Sequence, residues 1–102
     1  MESQNFFVYI LQSKKDETFY IGQTNDLDWR VSKHNEGMSR YTASKRPWRL
    51  VYFEMFKTRN AAILREKQLK GWKNAIRYRQ LIYSWKKAAL KNYPGGLNLE
   101  ES

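Results

Sequence analysis

Two polar side chains occupy a predicted helix face that should be apolar. Arg30 and His34 lie at helical spacing from the apolar residue Leu27, so all three share one face of a helix. Arginine presents a planar fork of donors that matches two phosphate oxygens, and histidine can carry a proton near neutral pH. An ordinary ion pair of Arg30 with Asp26, and a purely structural histidine, are the alternatives. An inward face normally carries only apolar residues, so Arg30 and His34 need an explanation.

Two tyrosines lie on neighbouring predicted strands. If the turn of the hairpin is centred on Lys14 and Lys15, Tyr9 lies directly opposite Tyr20 and on the same face of the sheet. Two strand tyrosines are ordinarily core residues. Their combination with the polar pair on the helix favours a role in chemistry.

One carboxylate is conspicuous in the basic part of the chain. Residues 40–92 contain 15 Lys plus Arg but only two acids, Glu54 and Glu66, for a net charge of +13. Glu66 is therefore the candidate for holding one divalent cation, since Mg²⁺ accepts only one or two protein carboxylates and keeps several waters. The alternative is an ion pair with Lys70 on the same helix. From these residues alone, the ion pair is the favoured interpretation.

Charge and composition limit the classes of partner. The chain has 102 residues, a net charge of +9 and no cysteine, which excludes disulfides, thiolate chemistry and sulfur-based zinc sites. Lysine and arginine neutralise phosphates and release counterions, so the basic segment predicts nucleic acid as partner. A membrane surface is a weaker alternative as partner. The third alternative is that the charges bind no partner and only keep the protein soluble. Without a signal-peptide pattern or an apolar run of about 20 residues, we expect a cytoplasmic protein.

The hydrophobic pattern predicts a small mixed domain. The predicted strands are residues 6–11, 19–22 and 50–56, and the predicted helices run from Asn25 or Asp26 to Gly37, from Thr58 to about Trp72, and from about Asn74 to Asn92. The second helix carries an apolar stripe of Ala61, Ala62, Leu64, Leu69 and Trp72, and the third one of Tyr78, Leu81, Ile82, Trp85 and Ala89. Residues 38–47 are polar and predict a mobile loop. We expect one domain over residues 1–92 and a disordered tail at 93–102.

These residues, in this order, resemble the GIY-YIG nuclease domain over about residues 6–90. The matching positions are Phe7-Val8-Tyr9 in place of the GIY triplet, Tyr20-Ile21-Gly22 as the YIG triplet, then Arg30, His34 and Glu66. The stretch Tyr41-Thr42, followed by Pro47 and Leu50-Val51-Tyr52, is similar to the small stand-alone members related to the nuclease domain of the bacterial excision-repair C subunit. Many members carry an asparagine after the glutamate, for which Asn74 is the nearest counterpart.

The resemblance implies an α/β (α+β) fold, a three-stranded antiparallel sheet flanked by about three main helices. It implies a DNA-repair type of endonuclease that uses one Mg²⁺ or Mn²⁺ ion, and it reverses the preference at Glu66 in favour of a metal ligand. The implied catalytic residues are Tyr9, Tyr20, Arg30, His34 and Glu66.

Each of these residues has an implied task in phosphodiester hydrolysis. Tyr9 and Tyr20 would bracket the attacking water, one as general base and the other as a positioning donor. A tyrosine ionises near pH 10, so the base needs an adjacent positive charge such as Arg30. Arg30 would bind phosphate, His34 would relay a proton or bind phosphate, and Gly22 would allow a close approach to the strand.

The basic loop and helices supply candidate contacts to nucleic acid, with DNA preferred to RNA. These candidates are Gly22, Tyr41, Lys45, Arg46, Trp48, Arg49, Lys67, Lys70, Lys73 and Arg77, of which Tyr41 and Trp48 would stack on exposed bases. Selectivity is expected from short loops or from a protein partner, and the pattern indicates no oligomeric state. The alternatives are a non-catalytic nucleic-acid-binding module on the same scaffold and a basic ribosome-associated or protein-interaction module.

Overall fold

The computed structural model describes residues 4–91 of the chain. Its elements are β1 (Phe6–Ser13), β2 (Phe19–Thr24), α1 (Leu27–Glu36), α2 (Arg40–Ala43), β3 (Trp48–Phe56), α3 (Arg59–Lys70) and α4 (Ala75–Lys91). The strands form one antiparallel sheet in the order β2-β1-β3, so the doubly apolar β1 is central. The predicted α+β class is confirmed, with the short helix α2 in addition to the three predicted helices.

The chain divides into two compact units. The first ends at Gly71 and contains the sheet with α1, α2 and α3, and the second begins at Trp72 and contains α4. Tyr78 and Ile82, from the predicted apolar face of α4, are buried. The single domain predicted over residues 1–92 stays a prediction, and the predicted tail at 93–102 lies outside the described residues. Within those residues, no helix has the length and apolarity needed to cross a membrane.

The register of the hairpin differs from the predicted one by two residues. Tyr9 pairs with Gly22 rather than with Tyr20. The turn is centred one residue later than predicted because Ser13 still belongs to β1, and its hydroxyl accepts hydrogen bonds from two backbone N–H groups of the turn. A shift of two residues keeps every side chain on its face. Tyr9 and Tyr20 therefore share a face as diagonal neighbours.

One face of the sheet carries the tyrosines and is covered by α1. Tyr9 and Leu11 of β1 are buried there together with Trp48 of β3. Leu27 and Val31 of α1 pack against this cluster. The apolar positions of the helix therefore place α1 over the tyrosine face, and they bring the two polar residues of the same helix toward it.

The opposite face is covered by α3. Val8 of β1 is fully buried on this face, and its pairing partner Glu54 forms an ion pair with Arg65 of α3. Ala62 and Leu69 are the buried residues of the helix. The predicted stripe is wrong at Leu64, which is 67% exposed. With successive helix residues about 100° apart, Leu64 lies about 200° around the helix from Ala62.

Short-range signals at the helix ends are confirmed. The Asp26 carboxylate accepts a hydrogen bond from the Trp29 N–H group at 3.1 Å and caps α1. Gly37 ends this helix with φ 84°, a left-handed conformation that glycine adopts without strain. Thr58 caps α3 by accepting from the Ala61 N–H group at 3.1 Å.

The segment predicted to be a mobile loop, residues 38–47, is tied to its surroundings. It contains the single turn of α2, and Thr42 in this turn is fully buried. The Lys45 carbonyl oxygen accepts a 2.7 Å hydrogen bond from the Ser13 hydroxyl, and Lys45 Nζ pairs with Asp16 at 2.7 Å. The polar composition of the loop thus serves specific hydrogen bonds, which the sequence pattern did not indicate.

Candidate active site

The close packing of Tyr9 against Gly22 forms the floor of the site. The two residues are paired across β1 and β2, and the Tyr9 side chain, only 1% exposed, lies over the glycine. A Cβ atom at position 22 would collide with the Tyr9 hydroxyl oxygen and lie 2.6 Å from Cζ. The glycine of the YIG triplet is therefore required by the tyrosine ring rather than by backbone conformation, and the group that approaches the strand closely is Tyr9 and not the helix. A close approach of substrate to Gly22 stays a prediction.

His34 links Tyr9 to the loop that follows α1. Its Nε2 atom lies 3.0 Å from the Tyr9 hydroxyl, and its Nδ1 atom lies 2.9 Å from Thr42 Oγ1. The ring is 1% exposed. Burial, with a contribution from the positive charge of Arg30, lowers the pKa of His34 to about 4. The imidazole is therefore neutral at pH 7.

The surroundings of the Tyr9 phenol both raise and lower its pKa. Burial raises the pKa of Tyr9 to about 12, whereas the Arg30 guanidinium lowers it as a hydrogen-bond donor and as a nearby charge. Tyr20 and Glu66 raise the same pKa electrostatically. Tyr20, Arg30 and Glu66 are thus close enough to the Tyr9 hydroxyl to influence its pKa, and their shared role in catalysis stays a prediction.

Tyr20 joins this group through ring contacts. Its ring centroid is 4.9 Å from that of His34 and 6.4 Å from that of Tyr9. On its other sides it meets the rings of Tyr41, at 5.9 Å, and Trp48, at 6.2 Å. Tyr20 therefore connects the buried hydroxyl–imidazole pair to the exposed Tyr41.

Glu66 lies near the buried side of α3. Its side chain is 19% exposed, and its Oε2 atom forms an ion pair with Lys70 Nζ at 3.0 Å. The ion pair weighed for this residue is therefore present, and the metal-ligand role of Glu66 stays a prediction. Lys70 is 52% exposed, so the pair is open to solvent and contributes little to stability.

The donor set around Glu66 suits a weakly ligated hard cation. Across residues 4–91, no three side chains of the His, Asp and Glu types converge on one point. Structural and catalytic zinc need three or four protein ligands, so this site does not suit zinc. Mg²⁺ or Mn²⁺ fits a single carboxylate, since the remaining ligands are waters and substrate oxygens.

The predicted nucleic-acid contacts differ in their availability. Tyr41 is 66% exposed and Lys67 and Lys70 are exposed on α3, but Trp48 is only 3% exposed. The indole N–H group of Trp48 donates to the Thr42 carbonyl oxygen at 2.9 Å, so the expectation that it stacks on bases is wrong. Trp48, at the start of β3, is therefore part of the hydrophobic core.

Four of the remaining basic candidates have partners within the protein. Lys45 pairs with Asp16, Arg46 donates to the Ala43 carbonyl oxygen at 2.8 Å, and Arg49 donates to Gln12 at 3.3 Å. In the second unit, the Arg77 guanidinium lies over the Trp72 ring at 4.2 Å, Lys73 is exposed, and Asn74 accepts from the Ile76 N–H group. These partners hold the basic side chains in place without neutralising most of their charge.

One residue of the site was missed as a functional candidate. Thr42 is fully buried and occupies the second nitrogen of His34. The sequence offered a weak signal, a polar residue beside an aromatic one in a Ser- and Thr-rich segment, but nothing in it indicated contact with a histidine eight positions earlier.

The fold and this arrangement define a small α+β domain with a buried tyrosine–histidine pair, and comparison with known proteins gives its family. Residues 5–80 match the family model of the GIY-YIG catalytic domain. This range includes Tyr9, Tyr20, Arg30, His34 and Glu66. The chain belongs to the GIY-YIG family.

Small proteins of the UPF0213 group are similar to the chain. The one from Clostridium perfringens is 38% identical over 94 residues, which cover 91% of this chain and 98% of that protein. YazA of Bacillus subtilis is 42% identical over 67 residues, or 65% of this chain and 67% of YazA. The solution NMR structure of a UPF0213 protein from Bacillus halodurans superposes with a TM-score of 0.51 at 32% identity, covering 79% of this chain and 86% of that one. The fold and family expected from the motif residues are confirmed.

Proposed function

We propose that the protein is a divalent-metal-dependent endonuclease that hydrolyses phosphodiester bonds in nucleic acid, DNA in preference to RNA, in the cytoplasm. The observation that carries the proposal is the Tyr9 hydroxyl, buried over Gly22 and 3.0 Å from a neutral imidazole. The Arg30 guanidinium and the Glu66 carboxylate both act on it. An ordinary core tyrosine does not need two opposite charges and a histidine around its hydroxyl.

Phosphodiester hydrolysis needs a deprotonated water and positive charge at the phosphate oxygens. Arg30 supplies a permanent charge with donors for two oxygens. Tyr9 would exchange a proton with His34, whose Nε2 atom lies 3.0 Å from the Tyr9 hydroxyl and whose ring is neutral at pH 7 because the pKa of His34 is about 4. Glu66 would hold one Mg²⁺ or Mn²⁺ ion, which when bound supplies further positive charge for the phosphate. Tyr20 would position the attacking water beside Tyr9.

The exposed basic side chains around the site would hold the nucleic-acid backbone. Lys67 and Lys70 lie exposed on the helix that carries Glu66, and Tyr41 offers an exposed ring next to Tyr20. Lysine contacts to phosphate carry no sequence information, so sequence selectivity would come from a protein partner or from the loops.

A second candidate is a nucleic-acid-binding module without catalytic activity. The pairing of Glu66 with Lys70 favours it, because an ion pair gives the carboxylate a structural role. The high pKa of Tyr9, about 12, also disfavours the phenolate. Under this alternative the same basic surface binds nucleic acid and no bond is cleaved.

Cleavage of supercoiled plasmid distinguishes the two candidates. The wild-type protein is expected to nick the plasmid with Mg²⁺ and not with EDTA, and Glu66→Gln is expected to lose about 100-fold or more in rate. The matched control is Glu36→Gln, which makes the same change in another ion pair, with Lys33 at 3.1 Å on α1. Equal rates for Glu66→Gln and the wild type would refute the metal-ligand role.

Binding measured by fluorescence anisotropy supplies the second readout. Glu66→Gln is expected to bind DNA as the wild type does, and affinity should fall steeply with salt because phosphate contacts release counterions. Binding without cleavage by the wild type at any Mg²⁺ or Mn²⁺ concentration supports the non-catalytic module. An affinity that is independent of salt contradicts both candidates.

A further inference from the structure

The hydrogen-bonding pattern around His34 determines which nitrogen carries its hydrogen. Nε2 lies 3.0 Å from the Tyr9 hydroxyl, and Nδ1 lies 2.9 Å from Thr42 Oγ1. A neutral imidazole carries one ring hydrogen, so one of these nitrogens donates and the other accepts. The Thr42 hydroxyl decides between them, because it has a second partner that fixes the direction of its own hydrogen bond.

Thr42 completes the pattern on the other side of the ring. Its Oγ1 atom lies 2.9 Å from Nδ1 and 3.4 Å from the Ser39 carbonyl oxygen, which can only accept. The threonine hydroxyl thus donates to Ser39 and accepts from Nδ1–H. Nε2 is then the unprotonated nitrogen and accepts the hydrogen of the Tyr9 hydroxyl, so all donors run in one direction, from Tyr9 through His34 to Thr42 and the backbone.

Thr42 is held by a buried tryptophan and by the backbone of its own turn. Thr42 is fully buried, and its carbonyl oxygen accepts the indole hydrogen of Trp48 at 2.9 Å. The Ala43 N–H group donates to the Ser39 carbonyl oxygen at 2.9 Å and closes the turn. The hydroxyl therefore has little freedom to change partners, since the turn that carries it is anchored at both ends.

We propose that Thr42 is a positioning residue that keeps His34 in the Nδ1–H tautomer, so that Nε2 remains the acceptor for the Tyr9 hydroxyl. In the other tautomer Nδ1 would be an acceptor, and the Thr42 hydroxyl would have to turn its hydrogen from the Ser39 carbonyl oxygen to this nitrogen. The catalytic part of this inference rests on the proposed nuclease function, whereas the tautomer itself does not.

The tautomer can be read directly because the chain has a single histidine. With any purification tag removed, a long-range ¹H–¹⁵N spectrum at pH 7 shows two ring nitrogens. We expect Nδ1 at a protonated and Nε2 at an unprotonated chemical shift in the wild type. The reverse assignment in the wild type would overturn the proposal without any variant.

Two substitutions separate positioning from packing. Thr42→Val keeps the shape and removes the hydroxyl, and it is expected to shift the population toward the Nε2–H tautomer. Thr42→Ser keeps the hydroxyl, and it is expected to restore the wild-type ring shifts despite the lost methyl group. A Nδ1–H tautomer that is unchanged in Thr42→Val contradicts the positioning role, as does a change of the same size in Thr42→Ser.

Cleavage rates supply the functional arm. Thr42→Val is expected to lose about 100-fold in single-turnover rate through the misoriented hydroxyl, with recovery in Thr42→Ser. If the wild type shows the predicted tautomer but cleaves nothing, the proposed function fails and the hydrogen-bond assignment stands. If Thr42→Val changes tautomer and cleaves at the wild-type rate, Thr42 sets the tautomer but its positioning of His34 plays no part in catalysis, and the catalytic part of the proposal is refuted.

Discussion

The contact between Gly22 and Tyr9 gives a sharp mutational prediction. In Gly22→Ala the new Cβ would collide with the Tyr9 hydroxyl oxygen and lie 2.6 Å from Cζ, well inside normal contact distance. The ring cannot move away freely because it is 1% exposed and hydrogen-bonded to His34. We therefore expect the substitution to displace the hydroxyl from the imidazole.

The expected loss of stability follows from three contributions. Overpacking a filled core costs about 1–3 kcal/mol. Loss of the Tyr9–His34 hydrogen bond costs about 1 kcal/mol more. Alanine recovers roughly 0.5–1 kcal/mol relative to glycine within a strand. The net destabilisation is about 2 kcal/mol, which corresponds to a fall in Tm of roughly 8–16 °C for a domain of this size.

The assay combines thermal unfolding with single-turnover cleavage. Displacing the hydroxyl by about 1 Å is expected to lower the cleavage rate about 100-fold, measured at a temperature where the variant is folded. Gly71→Ala is the matched control, because a Cβ there meets its nearest neighbour at 3.4 Å, an ordinary contact. We expect this control to keep the wild-type rate and to unfold at or slightly above the wild-type Tm.

Two results would refute this reasoning. If Gly22→Ala unfolds at the wild-type temperature and cleaves at the wild-type rate, the tyrosine has room to move and its position is not critical. If Gly71→Ala is affected as strongly as Gly22→Ala, the effect belongs to glycine substitution in general.

Four further predictions use other parts of the molecule. Burial lowers the pKa of His34 to about 4 from an ordinary 6.5, so between these pH values the unfolded chain binds a proton that the folded protein does not. The free energy of unfolding should therefore rise with pH across this window by up to about 3 kcal/mol. Urea unfolding of the wild type should show this rise, and an equal rise in His34→Gln would contradict it. Tyr20→Phe should abolish cleavage activity while its unfolding curve stays unchanged. If the variant cleaves at the wild-type rate, Tyr20 is a core residue without a catalytic role. Glu54→Gln should destabilise the protein by about 1–3 kcal/mol in chemical denaturation, because the carboxylate accepts a hydrogen bond from Arg65 at 2.9 Å and is only 24% exposed. A change below about 0.5 kcal/mol would mean that this ion pair contributes no more than an exposed surface pair. Asp26→Ala should lower the free energy of unfolding by about 1 kcal/mol in the same assay, because the N-terminal cap of α1 is lost. An unchanged free energy of unfolding would show that Asp26 does not stabilise the helix.

Features determined by neighbouring residues were predictable from the sequence. Asp26 and Gly37 mark the ends of α1 through local hydrogen bonds and one left-handed residue. The inward face with Arg30 and His34 follows from helical periodicity alone. The alternation along β1 placed Tyr9 and Tyr20 on one face, and this conclusion survived a register error because the error was two residues.

Features determined by distant contacts were not predictable. The partner of a threonine in a polar loop depends on how that loop folds back, so the contact of Thr42 with His34 was missed. Trp48 is an aromatic residue in a basic segment, which is typical of base stacking. It is a core residue instead, and its indole N–H group donates to the Thr42 carbonyl oxygen. The need for Gly22 likewise follows from a ring across the sheet and not from its own turn.

The most direct measurement of the central claim is the Mg²⁺ dependence of single-turnover DNA cleavage by the purified wild-type protein. If Tyr9, Arg30, His34 and Glu66 form a nuclease site that takes one ion, the rate should be negligible in EDTA and should rise to saturation as a single-site function of Mg²⁺ concentration. Glu66→Gln, titrated in parallel, should remain inactive throughout. Cleavage that persists in EDTA, or a wild-type protein that binds DNA and leaves it intact at every Mg²⁺ and Mn²⁺ concentration, would contradict the claim.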